Sequence, residues 1–493
     1  MLLPTFCPGV SFVNNSKCNI MKIEQIYTGC IAHAAYYLES KGEAAIFDPL
    51  REVQPYIDRA KRDNASIKYV FETHFHADFV SGHLDLQKKT GANIVFGPTA
   101  QPGYEAIVAT DGQEFTVGDY TIKVIHTPGH TMESTTYLLL DENGIEQGII
   151  TGDTLFIGDV GRPDLAQHVV ANLTEEKLAG HLFDSLRNKI MPLPDHIVVY
   201  PNHGAGSACG KMMSTETTDT LGHQKETNYA LRADMTKDEF ISELLTGLTQ
   251  PPGYFPQNVL LNIKGYESLD NVMKRSINPL SPKAFEAAAN ETGAVILDVR
   301  TEQEFVKGHI PRSIFIGLDG DFAPWVGALM VDTKQALLLV TPKGKEEEAI
   351  NRLARVGFDN AIGYLEGGFE AWKNDARDYD SISSVTAETF EKIWTDQNTE
   401  SSIFDVRKKS EYEAEHIQGA ENTPLDFIND HLAEFPKATP FYLHCLGGYR
   451  SVIAASILKS RGIHNLIDVA GGFDEIKKTN IPLTEYVCPT TLL

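Results

Sequence analysis

Short apolar runs, most of which end in Gly or Asn, recur along the first half of the chain. Four of them are IKYVFET, YTIKVIHTPG, EQGIITG and HIVVYPN, and each is followed by a His or an Asp. Runs rich in Val, Ile, Thr and Tyr that are bounded by turn residues predict β-strands. The residues that follow them are His74, His130, Asp153 and His203. Because the ends of several strands can meet at one edge of a sheet sandwich, we expect these side chains to converge.

The second half of the chain contains a repeat, which is seen by comparing LDVRTEQEFVKGHI with FDVRKKSEYEAEHI. The equivalent residues are Asp298, Arg300 and His309 in the first copy and Asp405, Arg407 and His416 in the second. Each copy alternates strand-like runs such as ALLLV and FYLHC with helical stretches such as EEEAINRLARVG and SVIAASILKSRG. This alternation predicts two small α/β domains with mainly parallel sheets. We interpret the Asp-Val-Arg element as structural, since such a pair at a strand end holds a turn.

These patterns divide the chain into segments. The stretch GYESLDNVMKRSINPLS is rich in polar and turn residues, which is typical of a connector. The first twenty residues are expected to be either a disordered extension or a start-site artefact. The predicted segments are an extension at 1–20, a metal-binding domain at 21–264, a linker at 265–281, and repeated domains at 282–378 and 384–490.

Composition narrows the function. The 493 residues carry a net charge of -24, which argues against a nucleic-acid partner because phosphate binding needs clustered Lys and Arg. No apolar run approaches the ~18 residues of a membrane span, so no membrane association is predicted. The six cysteines are scattered without a CxxC pair. A chain of this length needs no disulfide framework, and the cytoplasm is the predicted compartment.

The first segment contains the motif His74-Phe75-His76-Ala77-Asp78-Phe79. Imidazole and carboxylate ligands together bind Zn or Fe(II), and two His with one carboxylate form the facial set of non-haem iron oxygenases. Residues 21–262 resemble the metallo-β-lactamase superfamily, whose general two-metal motif is H-x-H-x-D-H. The resemblance implies an α/β fold, the αββα sandwich. Phe79 stands where the family has its last histidine, and phenylalanine cannot ligate, so one metal is expected rather than two.

Within that superfamily the sequence most resembles the persulfide dioxygenases, which GDVGRPDL and PNHGAGSACGK also match. The resemblance implies one Fe(II) per chain, held by His74, His130 and Asp153. It further implies that ligands, bound water or substrate are oriented by His76, Asp78 and His203.

Two more residues near the predicted site are candidates for substrate contact. Arg162 offers a guanidinium fork that suits a substrate carboxylate, although a strand-capping role remains open. Cys209 lies six residues after His203. It is either a sulfur acceptor or a buried, inert thiol.

The last segment presents Cys445 on a glycine-containing loop between FYLHC and an apolar helix. Backbone N–H groups and the helix N-terminus stabilise a thiolate or persulfide at such a position. The loop resembles the C-x-x-x-x-R loop of rhodaneses, which implies catalytic roles for Cys445 and Arg450. Substrate contacts are expected from Gly447, Gly448 and Tyr449. The preceding copy has Thr341 at the nucleophile position, so it is predicted to be catalytically silent.

The order of the segments resembles bacterial persulfide dioxygenase–rhodanese fusions, which implies sulfide detoxification and assembly into a homo-oligomer. The implied substrates are a low-molecular-weight thiol persulfide and O₂, with sulfite and thiosulfate as products. Two alternatives remain open. One is a dinuclear zinc thioester hydrolase similar to glyoxalase II, and the other is a sulfur-relay protein with a non-catalytic lactamase domain.

Overall fold

The computed structural model of the protein describes residues 21–165, 173–248, 250–330, 332–397 and 402–488. The predicted extension at 1–20 lies outside these residues. The described chain folds into a two-sheet sandwich followed by two smaller α/β domains, here called the middle and C-terminal domains. Within the described ranges, no helix is both long and apolar enough to cross a membrane.

Two six-stranded sheets form the sandwich. The strands of the first sheet follow chain order and are Lys22–Thr28 (β1), His33–Ser40 (β2), Glu43–Phe47 (β3), Ser66–Phe71 (β4), Asn93–Phe96 (β5) and Ile107–Val108 (β6). The strands of the second sheet, in spatial order, are Asp219–Thr220 (β12), Val198–Pro201 (β11), Glu146–Gly152 (β10), Thr135–Leu140 (β9), Tyr120–His126 (β8) and Glu114–Val117 (β7).

Apolar side chains from the facing surfaces of the two sheets form the central core, which includes Phe47, Phe71 and Tyr137. Helices cover both outer surfaces, so the layers are helix, sheet, sheet, helix, as predicted. The sandwich helices are Gln54–Arg62 (α1), His83–Thr90 (α2), Glu175–Ser185 (α3), Leu221–Thr227 (α4), Lys237–Leu245 (α5) and Phe255–Lys264 (α6). Short helical turns lie at Gly29–Ile31, Leu186–Ile190 and Tyr229–Leu231.

The segment 265–281, expected to be a connector, contains a helix at Leu269–Ser276 (α7) and a strand at Pro279–Leu280 (β13). Leu269, Val272 and Ser276 are buried, while the residues between them are largely exposed. A spacing of three and four residues is that of one helix face, so polar composition concealed an amphipathic helix.

The middle domain is a five-stranded parallel sheet with spatial order β13-β17-β16-β14-β15. Its remaining strands are Val295–Asp298 (β14), Ile314–Phe315 (β15), Leu337–Val340 (β16) and Ala361–Leu365 (β17). Its helices are Pro282–Thr292 (α8), Glu302–Lys307 (α9), Phe322–Leu329 (α10), Glu346–Arg355 (α11) and Gly368–Asn374 (α12).

The C-terminal domain repeats this topology with the order β18-β22-β21-β19-β20, again with parallel pairing. Its strands are Ser384–Val385 (β18), Ile403–Asp405 (β19), Glu421–Asn422 (β20), Phe441–His444 (β21) and Leu466–Val469 (β22). Its helices are Ala387–Gln397 (α13), Lys409–Ala414 (α14), Tyr449–Ser460 (α15) and Gly472–Ile476 (α16), with a short turn at Leu425–Phe427. The identical strand order confirms that the sequence repeat is a structural repeat.

The middle domain packs directly on the sandwich. The fully buried guanidinium of Arg51 donates to both carboxylate oxygens of Asp359, at 2.6 and 2.8 Å, and to the carbonyl of Ala354. The backbone N–H of Val80, which directly follows the H-x-H-x-D-F motif, donates to the carbonyl of Arg355 at 2.8 Å. The middle domain is therefore tied to the loop that carries the predicted metal ligands.

Candidate metal centre and sulfur-transfer loop

Three predicted ligands meet at one edge of the sandwich. His74 follows β4, His130 follows β8 and Asp153 follows β10, and one ligand atom of each lies within 4.8 Å of the others. The Nε2 atoms of His74 and His130 lie 3.9 and 3.4 Å from Oδ2 of Asp153. All three side chains are buried. Two imidazoles and one carboxylate that come together in this way can hold one metal ion.

Hydrogen bonds to the other ring nitrogens orient the two histidines. Nδ1 of His74 lies 3.0 Å from the hydroxyl of Thr73, and because that hydroxyl donates to Oδ1 of Asp48, the ring nitrogen is the donor. Nδ1 of His130 donates to the carbonyl of Arg162 at 2.8 Å. Each ring therefore presents the lone pair of Nε2 to the site. Burial lowers the pKa of His130 to about 4 and that of His74 well below its ordinary value, which favours the neutral, ligating form.

His76 faces the same region but is held differently. Its Nε2 donates to Oδ1 of Asp48 at 2.9 Å and lies 3.4 Å from Oε2 of Glu72. Burial opposes a charged ring, yet the Asp48 and Glu72 carboxylates raise the pKa of His76 well above its ordinary value. Nε2 of His76 is thus engaged by two buried carboxylates.

Asp78 and His203 lie on the other side of Asp153. Nε2 of His203 is 3.5 Å from Oδ2 of Asp78 and 3.6 Å from Oδ1 of Asp153, while its Nδ1 donates to the carbonyl of Ala32. Burial raises the pKa of Asp78 and of Asp153 to about 6 each. A cation next to these carboxylates would favour their ionised forms.

Arg162 is buried, and its guanidinium forms a bidentate pair with Asp164, with both contacts at 2.6 Å. Its backbone carbonyl accepts from His130, and its N–H donates to the carbonyl of Cys209. The preceding Gly161 brings this loop against the site, since a Cβ there would lie 2.1 Å from the carbonyl oxygen of Asp153. The structure thus places Arg162 as a support for His130 and pairs its charge internally.

Cys209 is buried close to Asp78 and His203 and is 1% exposed. Burial, together with the Asp78 and Asp153 charges, raises the pKa of its thiol well above the ordinary value. The thiol is therefore protonated at neutral pH unless a cation or another positive group approaches it.

Sequence reasoning missed two residues that hold the motif loop. Asn262 on α6 donates from Nδ2 to the carbonyls of His76 and Phe79, both at 2.8 Å, and its Oδ1 accepts from the N–H of Ser81. Asp48, directly after β3, accepts hydrogen bonds from the N–H of Thr73 and from Nε2 of His76. Asp48 follows the apolar run AAIF, the same signal that identified the candidate ligands, whereas no local pattern marks Asn262.

In the C-terminal domain, Cys445 follows β21 and precedes α15, as predicted. The backbone N–H of Gly448 donates to its Sγ at 3.1 Å, and Gly448 has φ +100°, a conformation that favours glycine. The thiol is 1% exposed. The loop thus directs a backbone donor at the sulfur, while Gly447 at its tip has open space around its Cα.

Two neighbouring residues are engaged elsewhere. The guanidinium of Arg450 pairs with both carboxylate oxygens of Glu411, at 2.6 and 2.8 Å. The hydroxyl of Tyr449 donates to the carbonyl of Gly317 in the middle domain. The Asp405–Arg407 pair is buried, and Arg407 stacks over Phe473, as does Arg300 over Phe369 in the middle domain. These arginine pairs hold turns in both copies.

In the corresponding loop of the middle domain, the side chain of Glu346 accepts the available hydrogen bonds. Oε1 of Glu346 accepts from the hydroxyl of Thr341 at 3.3 Å and from the N–H of Gly344 at 3.2 Å. The carboxylate occupies the loop that in the C-terminal domain surrounds the sulfur. This middle loop therefore has neither a thiol nor an open anion pocket.

Comparison with known proteins agrees with this geometry. The sequence profile of the metallo-beta-lactamase superfamily matches residues 28–203, and that of the rhodanese-like domain matches 281–375 and 386–479. A hydroxyacylglutathione hydrolase from Rhizobium etli is 32% identical over 218 residues, which cover 38% of this chain and 77% of the relative. The chain belongs to the metallo-beta-lactamase superfamily.

One solved structure extends the likeness past the metallo-beta-lactamase domain. A metallo-beta-lactamase from Staphylococcus aureus subsp. aureus COL is 31% identical with a TM-score of 0.62, covering 71% of this chain and 99% of its own. ETHE1 from Myxococcus xanthus is 26% identical with a TM-score of 0.43, covering 50% of this chain and 99% of its own. The predicted architecture, a metallo-beta-lactamase domain followed by two rhodanese-like domains, is confirmed.

Proposed function

We propose that the protein is a non-haem Fe(II) persulfide dioxygenase joined to a sulfurtransferase, acting in sulfide detoxification. The observation that carries the proposal is the pairing of two sites in one chain. A buried site of two imidazoles and one carboxylate, His74, His130 and Asp153, accompanies a cysteine loop suited to carrying sulfane sulfur. A sulfur carrier fused to a metal site of this composition favours a sulfur-containing substrate over an unrelated one.

The residues fit one iron ion. Both carboxylate oxygens of Asp153 are buried without a hydrogen-bond partner among the described residues. Leaving such atoms unsatisfied costs roughly 1–3 kcal/mol each, and a bound cation removes that cost. Two neutral imidazoles and one carboxylate match the facial set of Fe(II) oxygenases. Phe79, which stacks on His76 at 4.3 Å between ring centroids, contributes no ligand.

An Fe(II) ion held by His74, His130 and Asp153 would supply the chemistry that lets O₂ react with a sulfane sulfur. Overall, one persulfide, one O₂ and one water give the free thiol, one sulfite and two protons. The chain contributes burial, which excludes bulk water from the site. Asp78 and His203 present polar atoms to the same space and are suited to orienting substrate or accepting the released protons.

The sulfurtransferase step uses Cys445. Its thiolate takes the sulfane sulfur from a persulfide, releasing the thiol, and sulfite then attacks that sulfur to give thiosulfate and the free cysteine. The Gly448 N–H supports negative charge on sulfur, and Arg450 adds a cation next to the loop, partly balanced by Glu411. Substrate contact by Arg162, Cys209, Gly447 and Tyr449 remains part of this proposal.

A second candidate is a thioester hydrolase, favoured by the curated relatives named hydroxyacylglutathione hydrolase. That activity is associated with the dinuclear metal pattern in which the position of Phe79 is a histidine. The two candidates differ in metal, in co-substrate and in product, so one set of measurements distinguishes them.

The test is metal analysis together with an oxygen electrode. We expect about one iron per chain, O₂ uptake that depends on an added thiol persulfide, and sulfite or thiosulfate among the products. A panel of persulfides of glutathione, coenzyme A and bacillithiol identifies the thiol. Two tightly bound zinc ions with thioester hydrolysis and no O₂ uptake would support the hydrolase instead.

A further inference from the structure

The middle domain contacts the side of the candidate metal centre that holds Asp78 and His203. Nη1 of Arg355, at the end of α11, donates to Sγ of Cys30 at 3.0 Å. The same guanidinium pairs with the carboxylate of Glu52, and the arginine side chain is only 11% exposed. A cation of the middle domain is therefore held almost out of solvent against a turn of the sandwich.

The turn that contains Cys30 orients His203. Gly29–Ile31 leads directly into Ala32, whose φ of +47° lies in the left-handed region that non-glycine residues seldom adopt. The carbonyl of Ala32 accepts from Nδ1 of His203 at 3.1 Å. Because a carbonyl can only accept, Nδ1 carries the proton, and Nε2 faces the carboxylates of the candidate centre.

A second contact supports Asp78 from the same side. Gly327 on α10 lies against the ring of Tyr254, and a Cβ at Gly327 would be 2.4 Å from two ring carbons. The hydroxyl of Tyr254 donates to the carbonyl of Asp78 at 3.3 Å. Helix α10 also packs on the Gly29–Ile31 turn. Two helices of the middle domain thus reach the two loops that carry Asp78 and orient its neighbouring histidine.

We propose that the middle domain positions this side of the candidate metal centre, with Arg355 as the positioning residue for His203. The guanidinium fixes the Cys30 turn, the turn fixes the Ala32 carbonyl, and that carbonyl fixes the imidazole. The backbone acts in the same direction, since the N–H of Val80 donates to the carbonyl of Arg355. This role rests on the proposed function, which assigns substrate orientation to His203, and it is a task that needs no nucleophile in the middle domain.

The first test is a double-mutant cycle on the full-length, iron-loaded protein. In Arg355→Met we expect kcat/KM for persulfide-dependent O₂ uptake to fall about tenfold with iron content unchanged, because displacing an orienting group by ~1 Å can cost on the order of 100-fold. In the His203→Gln background, Arg355→Met should change kcat/KM less than about twofold, whereas independent effects would add.

Cys30 allows the same contact to be altered from the sandwich side. Cys30→Ala removes the acceptor of the Arg355 hydrogen bond and should lower kcat/KM in the same direction. Cys30→Ser keeps an acceptor at this position and should retain most of the unmodified value. This pair of small substitutions leaves the Arg355–Glu52 ion pair in place, so it separates the bond to the turn from the packing of the two domains.

Hydrogen–deuterium exchange gives a readout that does not depend on activity. The N–H of Ala32 bonds to Gly29 across the turn, and the N–H of Gly204 bonds to the Ala32 carbonyl. Peptides that contain these amides should exchange faster in Arg355→Met than in the unmodified protein. Arg352→Met is the matched control, because Arg352 donates to the Leu318 carbonyl within the middle domain, and it should leave both exchange and O₂ uptake unchanged.

Unchanged exchange in Arg355→Met, additive losses with His203→Gln, or equal losses from Arg352→Met would each overturn the positioning role. Failure of the dioxygenase proposal would look different. The unmodified protein would then consume no O₂ with a persulfide, while faster exchange in Arg355→Met but not in Arg352→Met would still support the positioning of the turn.

Discussion

The hydroxyl of Tyr449 donates a 2.8 Å hydrogen bond to the carbonyl of Gly317, joining the Cys445 loop to the middle domain. The tyrosine ring lies so close to Gly320 that a Cβ there would be 2.4 Å from a ring carbon. Phe315 packs edge-on against the same ring, and its N–H donates to Ser456 on α15. The middle domain therefore packs directly behind the Cys445 loop.

Tyr449→Phe keeps the ring and removes this hydrogen bond. One hydrogen bond contributes about 1 kcal/mol, so we expect a roughly fivefold fall in kcat/KM for thiosulfate-dependent sulfur transfer. Persulfide-dependent O₂ uptake should be unchanged, since the metal site is in another domain. The pH dependence of Cys445 alkylation reports whether the loop itself has shifted.

Tyr412→Phe is the matched control, because it removes a hydroxyl bond to the Ala420 carbonyl that lies within the C-terminal domain and does not reach the middle domain. Gly320→Ala should exceed the effect of Tyr449→Phe, since the added methyl displaces the ring. Equal sulfur transfer by Tyr449→Phe and the unmodified protein would show that the middle domain does not support the loop.

Asn262 offers a test of how the metal loop is held. Asn262→Leu leaves the carbonyls of His76 and Phe79 and the N–H of Ser81 without their partner. Losing buried hydrogen bonds of this kind costs roughly 1–3 kcal/mol for each unsatisfied group, so for three groups we expect destabilisation of at least about 3 kcal/mol and reduced iron content. Denaturation by urea and metal analysis measure the two effects.

Asn258, one turn earlier on α6, is the control for that substitution. Its amide is buried but has no hydrogen-bond partner among the described residues. Asn258→Leu should therefore change stability by less than about 1 kcal/mol, because no bond is lost. Similar effects from both substitutions would mean that packing on α6, rather than the Asn262 bonds, holds the loop.

The convergence of the candidate metal ligands was predictable because each follows a strand with a clear apolar pattern, and strand ends meet at a sheet edge. The repeat was predictable because two copies of one motif share their spacing. The pairing of Arg162 with Asp164 could not be predicted, because a separation of two residues in sequence does not determine how a loop folds. The approach of Cys209 to Asp78 could not be predicted either, because residues distant in sequence come together only through the tertiary fold.

The proposed iron ligands and the residues that support them should respond differently to substitution. Asp153→Ala removes the only carboxylate of the triad and should abolish iron binding and O₂ uptake. His76→Ala should retain some iron, with affinity reduced about 10–100-fold, because His76 acts on the site through Asp48 and Glu72. Iron content after gel filtration measures both. An empty site in His76→Ala together with a filled site in His74→Ala would reverse the assignment.

Asp468 on β22 predicts a pH dependence of stability. Burial raises the pKa of its carboxyl to about 6, while its pKa in the unfolded chain is about 3.9. Because the folded value is the higher one, its contribution is full below pH ~4 and is lost as pH rises through about 6. Asp468→Asn removes the destabilisation caused by the buried ionised carboxylate. It should therefore raise the midpoint of urea unfolding at pH 7.5 and not at pH 4. A gain of equal size at both pH values would exclude this explanation.

The last prediction separates the two chemistries by domain. Cys445→Ser replaces a sulfur that holds a sulfane atom by an oxygen that does not, and the smaller hydroxyl keeps the loop geometry. This variant should still consume O₂ with a persulfide substrate, while sulfite accumulates in place of thiosulfate. Asp153→Ala should show the opposite behaviour, with no O₂ consumption and with thiosulfate-to-thiol sulfur exchange retained through Cys445.

The middle domain cannot compensate in this experiment, because Thr341 has no thiol and Glu346 fills its loop. Sulfite and thiosulfate are quantified after labelling with a thiol-reactive fluorophore. Cys209→Ser combined with Cys445→Ser controls for transfer through the buried thiol near the metal site. Thiosulfate formed by Cys445→Ser at the unmodified rate would contradict the division of labour. If the double variant then stopped that formation, the sulfur carrier would be Cys209, and the metal-site loop rather than the rhodanese-like loop would perform the transfer.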